Sequence, residues 1–506
     1  MALLFYVLVL AAVAANAPLA VWDPHSRAFF VILGLVGVWR YLWGAVHLVR
    51  ALVFTRLVFP RWRRAATRMQ AAHDEGADAT DLRVSELYCV VTSFRIRAET
   101  TALVYRSLLA ELARYGRPAV VVASIVELAD ERFIKQLFTR LAPPPGVRLV
   151  FVRRPGVGKR DGLATALRAV QRSRPQDDAA VIVMDGDTVL TPGALERSLP
   201  FIRLMPRVGG ITTDEDAVVD GSRLMASWHR LRFAQRHLLM SSMALSRRLL
   251  TLTGRMSIFR AEIATDAGFV AAISDDALDH WRLGRIPLLT GEDKSTWLWL
   301  LGRGWDMLYV PDVRVLTVEH PPSRSFWRAS TQLMLRWFGN MLRASGRAIA
   351  LGPQRAGLFT WWCLIDQRIS MWTPLVGPIV VTIAALSYAP VVLYAYLLWV
   401  MTTRLLQALS LLTMRDSIGG TWPLLIYYNQ VYGALIKTWV LFRLDRQRWT
   451  RQNIALQPRL GRWQERGRAL GSAYVHGLAL LALIGSLALL TGALTLPPAV
   501  TLAKLF

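Results

Sequence analysis

Long apolar stretches stand near both ends of the chain and enclose a region with a different pattern. Residues 3–21 and 28–54 are apolar over enough positions for a helix to cross a bilayer. The first stretch lacks a basic leader and a small-residue cleavage site, so we interpret it as a retained span. Hydrophobic segments return towards the other end of the chain, at 371–389, 390–412, 421–442 and 469–492. The pattern predicts a multi-pass membrane protein.

The region between these stretches alternates short β-branched runs with helical stretches. Residues 87–92 and 180–184 are examples of the runs, and 100–115 and 161–172 are examples of the helical stretches. Because strands that alternate with helices form a mainly parallel sheet, we predict an α/β domain over 56–325. Ligands of such sheets bind at the carboxyl ends of the strands.

Charged and aromatic residues determine the predicted topology. Six arginines lie at the end of the second apolar stretch and directly after it: Arg50, Arg56, Arg61, Arg63, Arg64 and Arg68. The positive-inside rule therefore predicts that the N-terminal region 1–55 is followed by a cytoplasmic α/β domain. Residues 326–370 are rich in Trp and Arg and are predicted to form amphipathic interfacial helices. The C-terminal region 371–506 is predicted to form a channel with a cytosolic basic loop at 443–468. An even number of spans must then precede that loop, so 421–442, the most polar segment, is predicted to lie in the interface or to re-enter it.

The composition narrows the choice of partners. The 506 residues carry a formal net charge of +25, and only five of the 60 basic side chains are lysines. Arginine grips phosphate and carboxylate groups with two hydrogen bonds, which favours an anionic substrate or membrane lipid. No nucleic acid is expected, because membrane spans flank the basic region and no nucleic-acid-binding motif occurs. The two cysteines, Cys89 and Cys363, are far apart and indicate neither a disulfide framework nor a zinc site.

Two acidic residues separated by glycine follow a predicted buried strand, as Asp185-Gly186-Asp187. Such a pair can hold a divalent cation, which neutralises a diphosphate leaving group. The alternative is a simple Asp-Gly turn at a strand end. Upstream, Lys159 lies in a basic, glycine-containing turn before a helical stretch. That turn suits a diphosphate, and the alternative is a solvated turn.

Two further motifs follow along the chain. Glu292-Asp293 comes after an apolar loop, where a carboxylate can deprotonate an acceptor hydroxyl; the alternative is a helix cap. Arg336-Trp337 can hold a diphosphate and stack on a sugar ring; the alternative is an anchor at the membrane interface. Each motif is ambiguous alone, but the four in this order point to one site.

The four motifs together resemble those of the processive family 2 glycosyltransferases, which include cellulose, chitin and hyaluronan synthases. The resemblance covers about residues 84–340 and implies a GT-A type fold, a nucleotide-sugar donor and a Mg²⁺ or Mn²⁺ ion. It implies that Asp185 and Asp187 bind the metal and donor diphosphate, with Lys159 on the donor. It implies that Asp293 is the general base, with Glu292 beside it. By the same resemblance, Arg336 contacts the diphosphate and Trp337 contacts the acceptor sugar.

Further runs resemble the alginate-polymerising, mannuronan-forming branch of this family: 251–262, 280–285, 318–322 and 336–340. This resemblance implies GDP-mannuronate as donor and polymannuronate, a growing anionic polysaccharide, as product. It also implies a bacterial inner membrane location and a PilZ-type partner subunit that binds cyclic-di-GMP. Arg255 is a candidate ligand of the uronate carboxylate, and the alternative is an arginine on a helix surface. Charges within a membrane usually face a cavity or a partner, so Arg368, Arg404 and Arg40 are candidates for lining a polymer path.

The sequence departs from the family pattern in three places. Gln332 is one residue further from Arg336 than the family motif requires, although the two share a helix face. Residues 124–127 replace the loop that reads uracil in UDP-sugar enzymes, which is compatible with guanine. Residues 92–95 replace another donor motif, so Thr92 and Glu99 are predicted to contact the donor. Residues 448–451 loosely resemble a gating loop, and a solvated basic loop is the alternative.

Three rival functions remain open. One is a processive synthase that uses a UDP-sugar. Another is a transferase that moves a single sugar to a lipid phosphate carrier. The third is a non-catalytic export or assembly subunit with a degenerate transferase domain. The Arg336-Trp337 helix and the C-terminal spans favour processivity, and retention of all the acidic motif residues argues against a degenerate site.

Overall fold

The structure is a computed structural model that describes residues 1–18, 27–154, 158–447 and 461–495, with backbone alone for 27–33. The chain divides into two compact units. The membrane unit comprises Met1–Val46, Asp366–Arg443 and Arg459–Phe506. The catalytic unit comprises His47–Ile365 and Leu444–Pro458. The predicted gating loop at 448–451 lies outside the described residues.

The catalytic unit is built on an eight-stranded sheet in the order β3-β2-β1-β4-β7-β6-β10-β5, with a separate β8-β9 hairpin. The first four strands of that order pair in parallel, while β7 and β5 run antiparallel to their neighbours. The strands are β1 (Leu87–Thr92), β2 (Ala119–Ile125), β3 (Val147–Arg153), β4 (Ala180–Asp185), β5 (Thr188–Val189), β6 (Val208–Val219), β7 (Met256–Arg260), β8 (Ala277–His280), β9 (Gly284–Pro287) and β10 (Asp306–Glu319).

Helices flank the sheet and make up the membrane unit. They are α1 (Ala2–Ala15), α2 (Arg27–Val53), α3 (Phe59–Asp74), α4 (Ala98–Tyr115), α5 (Leu128–Leu141), α6 (Lys159–Arg172), α7 (Ala194–Ser198), α8 (Pro200–Leu204), α9 (Arg223–Ala244), α10 (Ala261–Ala264), α11 (Ala267–Ser274), α12 (Glu292–Arg303), α13 (Phe326–Ala350), α14 (Gly352–Ala356), α15 (Leu358–Ile369), α16 (Thr373–Ser387), α17 (Val391–Ser410), α18 (Trp422–Leu441) and α19 (Arg462–Leu490). A π-helical turn (Phe54–Val58) joins α2 to α3, and a 3₁₀ turn (Leu411–Thr413) follows α17.

The central strands have continuous apolar sequences because helices cover both faces of the sheet. Every residue of β2 is buried, and β1 and β4 are buried up to their last residues. The covering helices are amphipathic. In α6, for example, Leu163, Ala166, Leu167 and Val170 are buried at helical spacing. The predicted α/β fold with a mainly parallel sheet is confirmed.

The parallel register brings two sequence motifs to one edge of the sheet. Thr92, the last residue of β1, lies opposite Asp185, the last residue of β4. The carboxyl ends of parallel strands therefore meet where the chemistry was predicted. The neighbouring helix α6 begins at Lys159, so its first side chain is available to the same edge.

Four helices in the described residues are long and apolar enough to cross a membrane: Gly34–Asp74, Leu358–Ser387, Val391–Thr413 and Arg462–Leu490. Large apolar side chains along the last of these, such as Leu470, Leu481 and Ile484, are exposed. Lipid is the solvent that suits such a surface. Inside the membrane unit, Val380 and Val381 pack with Leu487 in a shared apolar cluster. The chain is a membrane protein.

Three predicted segments differ in detail from the helices observed. The described helix in 3–21 is Ala2–Ala15, whose 14 residues span about 21 Å at 1.5 Å per residue, less than the ~30 Å of hydrocarbon. The candidate span Leu358–Ser387 begins inside the segment that was predicted to lie in the interface. Segment 421–442 forms one continuous helix, Trp422–Leu441, which is not among the four spans of the described residues. Whether it crosses the bilayer stays a prediction.

Candidate active site

The two aspartates are held in a tight turn against the end of β1. The amide of Gly186 donates to the carbonyl oxygen of Thr92 at 2.8 Å. A Cβ at Gly186 would lie 3.0 Å from that same oxygen and would collide with the Ser93 side chain. The backbone carbonyl of Asp187 accepts from the amide of Val318 in β10 at 2.9 Å. Glycine is therefore required here by close packing, and the turn is tied to strands on both sides.

Lys159 joins two motifs that are distant in sequence. Its Nζ lies 2.5 Å from Oδ1 of Asp185 and also pairs with Oε1 of Glu292. Burial alone would lower the pKa of Lys159, but the charges of the two carboxylates raise it above its ordinary value. Burial opposes ionisation of Glu292 as well, yet Lys159 holds the pKa of that carboxyl below its usual value. We call Lys159, Asp185 and Glu292 the charge cluster.

A glycine lies directly against the charge cluster. A Cβ at Gly254 would lie 2.8 Å from Nζ of Lys159, 3.2 Å from Oδ2 of Asp185 and 3.3 Å from Oε1 of Glu292. Gly254 precedes β7, which pairs with β4. The close approach of backbone to charged groups is what glycine permits.

The carboxyl group of Asp293 has a raised pKa, in contrast to that of the neighbouring Glu292. Burial and the negative charge of Glu292 raise its pKa, because both disfavour a second carboxylate. Its side chain is nevertheless partly exposed. A carboxylate with a raised pKa accepts a proton more readily, as a general base requires.

The helix that carries Arg336 and Trp337 is tied to the loop before Glu292. The Thr290 hydroxyl donates to Oδ1 of Asn340 in α13 at 2.8 Å. Gly291 has φ 86°, and a Cβ there would lie 3.0 Å from the Asn340 side chain. Both the left-handed backbone and the close approach call for glycine. The arrangement fixes α13 relative to the start of α12.

Trp337 packs on the side chains of α9. Its ring stacks with Trp228 at 5.7 Å between centroids and 21° between planes. The guanidinium carbon of Arg232 lies 4.2 Å from the Trp337 centroid, and His229 meets the ring edge-on at 6.2 Å. The neighbouring Arg336 is close enough to Glu319 to contribute to the low pKa of that carboxyl. The sequence did not single out Trp228 or Arg232, because an aromatic and a cation at i, i+4 on one helix form a common surface pattern.

Arg255, the predicted ligand of a uronate carboxylate, is already paired. Its guanidinium lies 3.1 Å from Glu215 and 2.7 Å from Glu319, and Glu215 is fully buried. Burial would raise the pKa of Glu319, but Arg255 leads the charges that lower it to about 2. Asp187 is also within electrostatic reach of Arg255. A role for Arg255 as a substrate ligand stays a prediction, since two carboxylates match its single charge.

The remaining predicted residues lie elsewhere. Glu99 is exposed in the first turn of α4, and within the described ranges it makes no ion pair. Arg368 lies in the last turn of α15, in the membrane unit. Arg404 of α17 donates to the hydroxyl of Tyr41 at 2.8 Å, and Arg40 pairs with Asp366 at 2.6 Å. Arg404 and Arg40 therefore have polar partners within the membrane unit.

The carboxylates fit a metal ion that arrives with its substrate. Among the described residues, no group of three or more His, Cys, Asp and Glu side chains is arranged to hold a metal. Asp185 and Asp187 supply only two carboxylates. Magnesium-type ions are commonly held by one or two carboxylates together with the phosphates of a substrate. The pair therefore suits an ion that a diphosphate completes.

Known proteins resemble this chain in sequence. The profile of the family described as "Glycosyltransferase like family 2" matches residues 85–340. "Glycosyltransferase alg8" of Pseudomonas syringae pv. tomato is 47% identical over 461 residues, which cover 91% of this chain and 92% of that protein. "Glycosyltransferase alg8" of Azotobacter vinelandii is 47% identical over 460 residues, covering 89% and 90%.

Solved structures resemble this chain at lower sequence identity, and one example is a mannosyltransferase, PcManGT from Pyrobaculum calidifontis, in complex with GDP-Man and Mn²⁺. It is 17% identical, and the alignment covers 77% of this chain and 98% of that one with a TM-score of 0.46.

Proposed function

Because the chain belongs to the glycosyltransferase like family 2 and is a glycosyltransferase, we propose that it polymerises mannuronate from GDP-mannuronate into polymannuronate, the precursor of alginate. The enzyme is a processive, inverting transferase of the bacterial inner membrane with its catalytic unit in the cytosol. Support comes from the resemblance of its motifs to the mannuronan-forming branch. Identity of 47% to the two alg8 glycosyltransferases, over nine-tenths of the chain, adds further support.

The observation that carries the proposal is the charge cluster with Asp293 beside it. Lys159 forms ion pairs with both Asp185 and Glu292, while Asp293 has a raised pKa and stays accessible. The two kinds of carboxyl group thus have different tasks. Asp293 takes the proton of the acceptor hydroxyl as that oxygen attacks the anomeric carbon. Lys159 and Arg336 hold the diphosphate and stabilise the charge that develops on it.

A divalent cation, Mg²⁺ or Mn²⁺, belongs to this proposal. Asp185 and Asp187 would hold it together with the donor diphosphate. When bound, the ion neutralises charge on the leaving diphosphate. Within the chain itself, Lys159 supplies the positive charge next to Asp185.

The product and the partners follow from the same proposal. Polymannuronate carries one negative charge per sugar, and burying such charges in lipid is costly unless they are paired. Arg368 and Arg404 lie within candidate membrane spans and supply positive charge there. We propose that they contact the growing polymer as it leaves. We also propose a PilZ-type partner subunit that responds to cyclic-di-GMP.

The proposal is tested with the purified full-length protein in lipid nanodiscs. A panel of GDP- and UDP-sugars is offered with Mg²⁺, and nucleotide release and product length on a gel are measured. We expect release of GDP from GDP-mannuronate alone, long products, and loss of both with EDTA. Asp293→Asn lowers the rate by about 10²- to 10⁴-fold, the range of general acid–base catalysis. Glu196→Gln, at an exposed carboxylate, is the matched control.

Each other outcome contradicts a stated part of the proposal. Nucleotide release from a UDP-sugar contradicts GDP-mannuronate as the donor. Transfer of one sugar without elongation contradicts processivity. Full activity of Asp293→Asn contradicts the base, and no release from any donor contradicts catalysis by this chain.

A further inference from the structure

Among the residues that the structure describes, Arg232 has no carboxylate beside it. It lies on α9, one turn after Trp228, and its guanidinium carbon is 5.1 Å from the Trp228 centroid and 4.2 Å from that of Trp337. In the part of the chain that the structure describes, no carboxylate lies within 4.0 Å of it, and it donates no hydrogen bond to protein. Its side chain is partly exposed, so a ligand can reach it.

The surroundings make this lone charge unfavourable as it stands. Burial, and then the like charge of Arg255, lower the pKa of Arg232 to about 10. Arg255 itself contrasts with this, because Glu215 and Glu319 raise its pKa above the ordinary value. Two arginines on neighbouring elements thus differ in one respect: the protein supplies anions to Arg255 and none, among the described residues, to Arg232. A desolvated cation of this kind is stabilised when a bound anion completes it.

The indole rings indicate which anion is expected. The Trp337 ring is partly exposed and stacks on the fully buried Trp228, and an exposed indole is a surface on which sugar rings pack. The guanidinium of Arg232 lies 4.2 Å from the Trp337 centroid, so a sugar that packs on this ring has its substituents near the guanidinium. A planar guanidinium matches a carboxylate with two parallel hydrogen bonds.

We propose that Arg232 is a specificity residue, which binds the carboxylate of the acceptor uronate whose ring packs on Trp337. The inference rests on the proposed function, since it takes polymannuronate as the acceptor. It moves the task of reading the sugar carboxylate from Arg255, whose charge is matched within the protein, to Arg232. A neutral acceptor sugar packs on the same Trp337 ring but offers no carboxylate to the guanidinium.

The test compares an acidic and a neutral acceptor. The full-length protein in nanodiscs receives GDP-mannuronate and either a labelled oligomannuronate or the same oligomer after reduction of its carboxyl groups. The measured quantity is kcat/KM for each acceptor, and their ratio does not depend on how much of a variant is active. A charge-assisted hydrogen bond is worth about 10- to 100-fold, so wild type prefers the acidic acceptor by roughly that factor.

We expect Arg232→Gln to lower kcat/KM for oligomannuronate by about 10- to 100-fold and to leave the reduced oligomer nearly unchanged. Arg232→Lys keeps the charge but loses the two parallel hydrogen bonds, so its preference for the acidic acceptor lies between those of wild type and Arg232→Gln. Arg230→Gln is the matched control, because Arg230 is exposed on the same helix. It keeps the wild-type preference.

The outcomes separate this inference from the proposed function. An Arg232→Gln protein that keeps the wild-type preference, or that loses both acceptors equally, contradicts the role of Arg232. A raised KM for GDP-mannuronate, measured as GDP release without acceptor, assigns Arg232 to the donor carboxylate and contradicts the acceptor role. A wild type that releases no GDP from GDP-mannuronate contradicts the proposed function instead.

Discussion

A methyl group added at Gly254 is expected to disable the site without unfolding the protein. The backbone of Gly254 is not left-handed, so alanine meets no conformational penalty there. Its Cβ would lie 2.8 Å from Nζ of Lys159, where ordinary contacts begin at 3.4 Å. Nζ must therefore retreat by about 0.6 Å, the difference between those two distances. Because Nζ is the end of a flexible side chain, it can move without disturbing the core.

The magnitude follows from the contacts that Nζ gives up. It lies 2.5 Å from Asp185 and pairs with Glu292, so a retreat weakens at least one charge-assisted hydrogen bond. Such a bond contributes about 1.5–3 kcal/mol. Since about 1.4 kcal/mol corresponds to a factor of ten, we expect kcat/KM of Gly254→Ala to fall by about 10- to 100-fold. The Tm should stay close to that of wild type.

The assay is nucleotide release by the protein in nanodiscs, with thermal unfolding measured on the same samples. Gly302→Ala is the matched control: Gly302 lies in α12, the helix that begins at Glu292, and a Cβ there makes only ordinary contacts at 3.9 Å and beyond. It should behave as wild type. The reasoning is refuted if Gly254→Ala keeps full activity, or if its loss of activity is matched by an equal loss of folded protein.

Two further substitutions test the electrostatics of the site and the packing of the membrane unit. Glu292→Gln removes a negative charge that raises the pKa of Asp293, so the pKa of Asp293 falls and the base stays ionised at lower pH. The acidic limb of the pH profile of kcat/KM should therefore move to lower pH. A limb that stays in place or moves to higher pH would contradict the electrostatic coupling. Gly420→Ala would place a Cβ 2.5 Å from the amide nitrogen of Leu3. Because overpacking of this kind costs about 1–3 kcal/mol, the Tm of this variant should be lower than that of wild type. Gly44→Ala, where a Cβ meets nothing within 4 Å, should leave the Tm unchanged, and equal shifts in both variants would count against the packing argument.

Local patterns predicted much of the fold. The buried runs at 87–92 and 180–184 became parallel neighbours, because fully buried strands need helices on both faces and such helices alternate with them along the chain. The membrane segments were harder to delimit. Hydropathy identifies an apolar helix but does not state where an interfacial helix becomes a span. The candidate span Leu358–Ser387 accordingly crosses the predicted boundary at 370.

The motif residues could be chosen from sequence because each has a local signature. Asp185 and Asp187 follow a buried strand with glycine between them, and Asp293 opens a helix. Trp228 and Arg232 had no such signature, since an aromatic and a cation one turn apart occur on many surface helices. Their importance depends on Trp337, which is more than a hundred residues away in sequence.

By itself, the sequence determined the class of protein and the carboxylates that its chemistry needs, because strand and helix periodicity and membrane hydropathy are local properties of the chain. Only the tertiary structure decided how the charges are matched. Lys159 and Glu292 are 133 residues apart and form one cluster, while Arg255 is matched by two carboxylates and Arg232 by none among the described residues. Coulomb energy depends on distance and burial, and both are known only once the strands are in register.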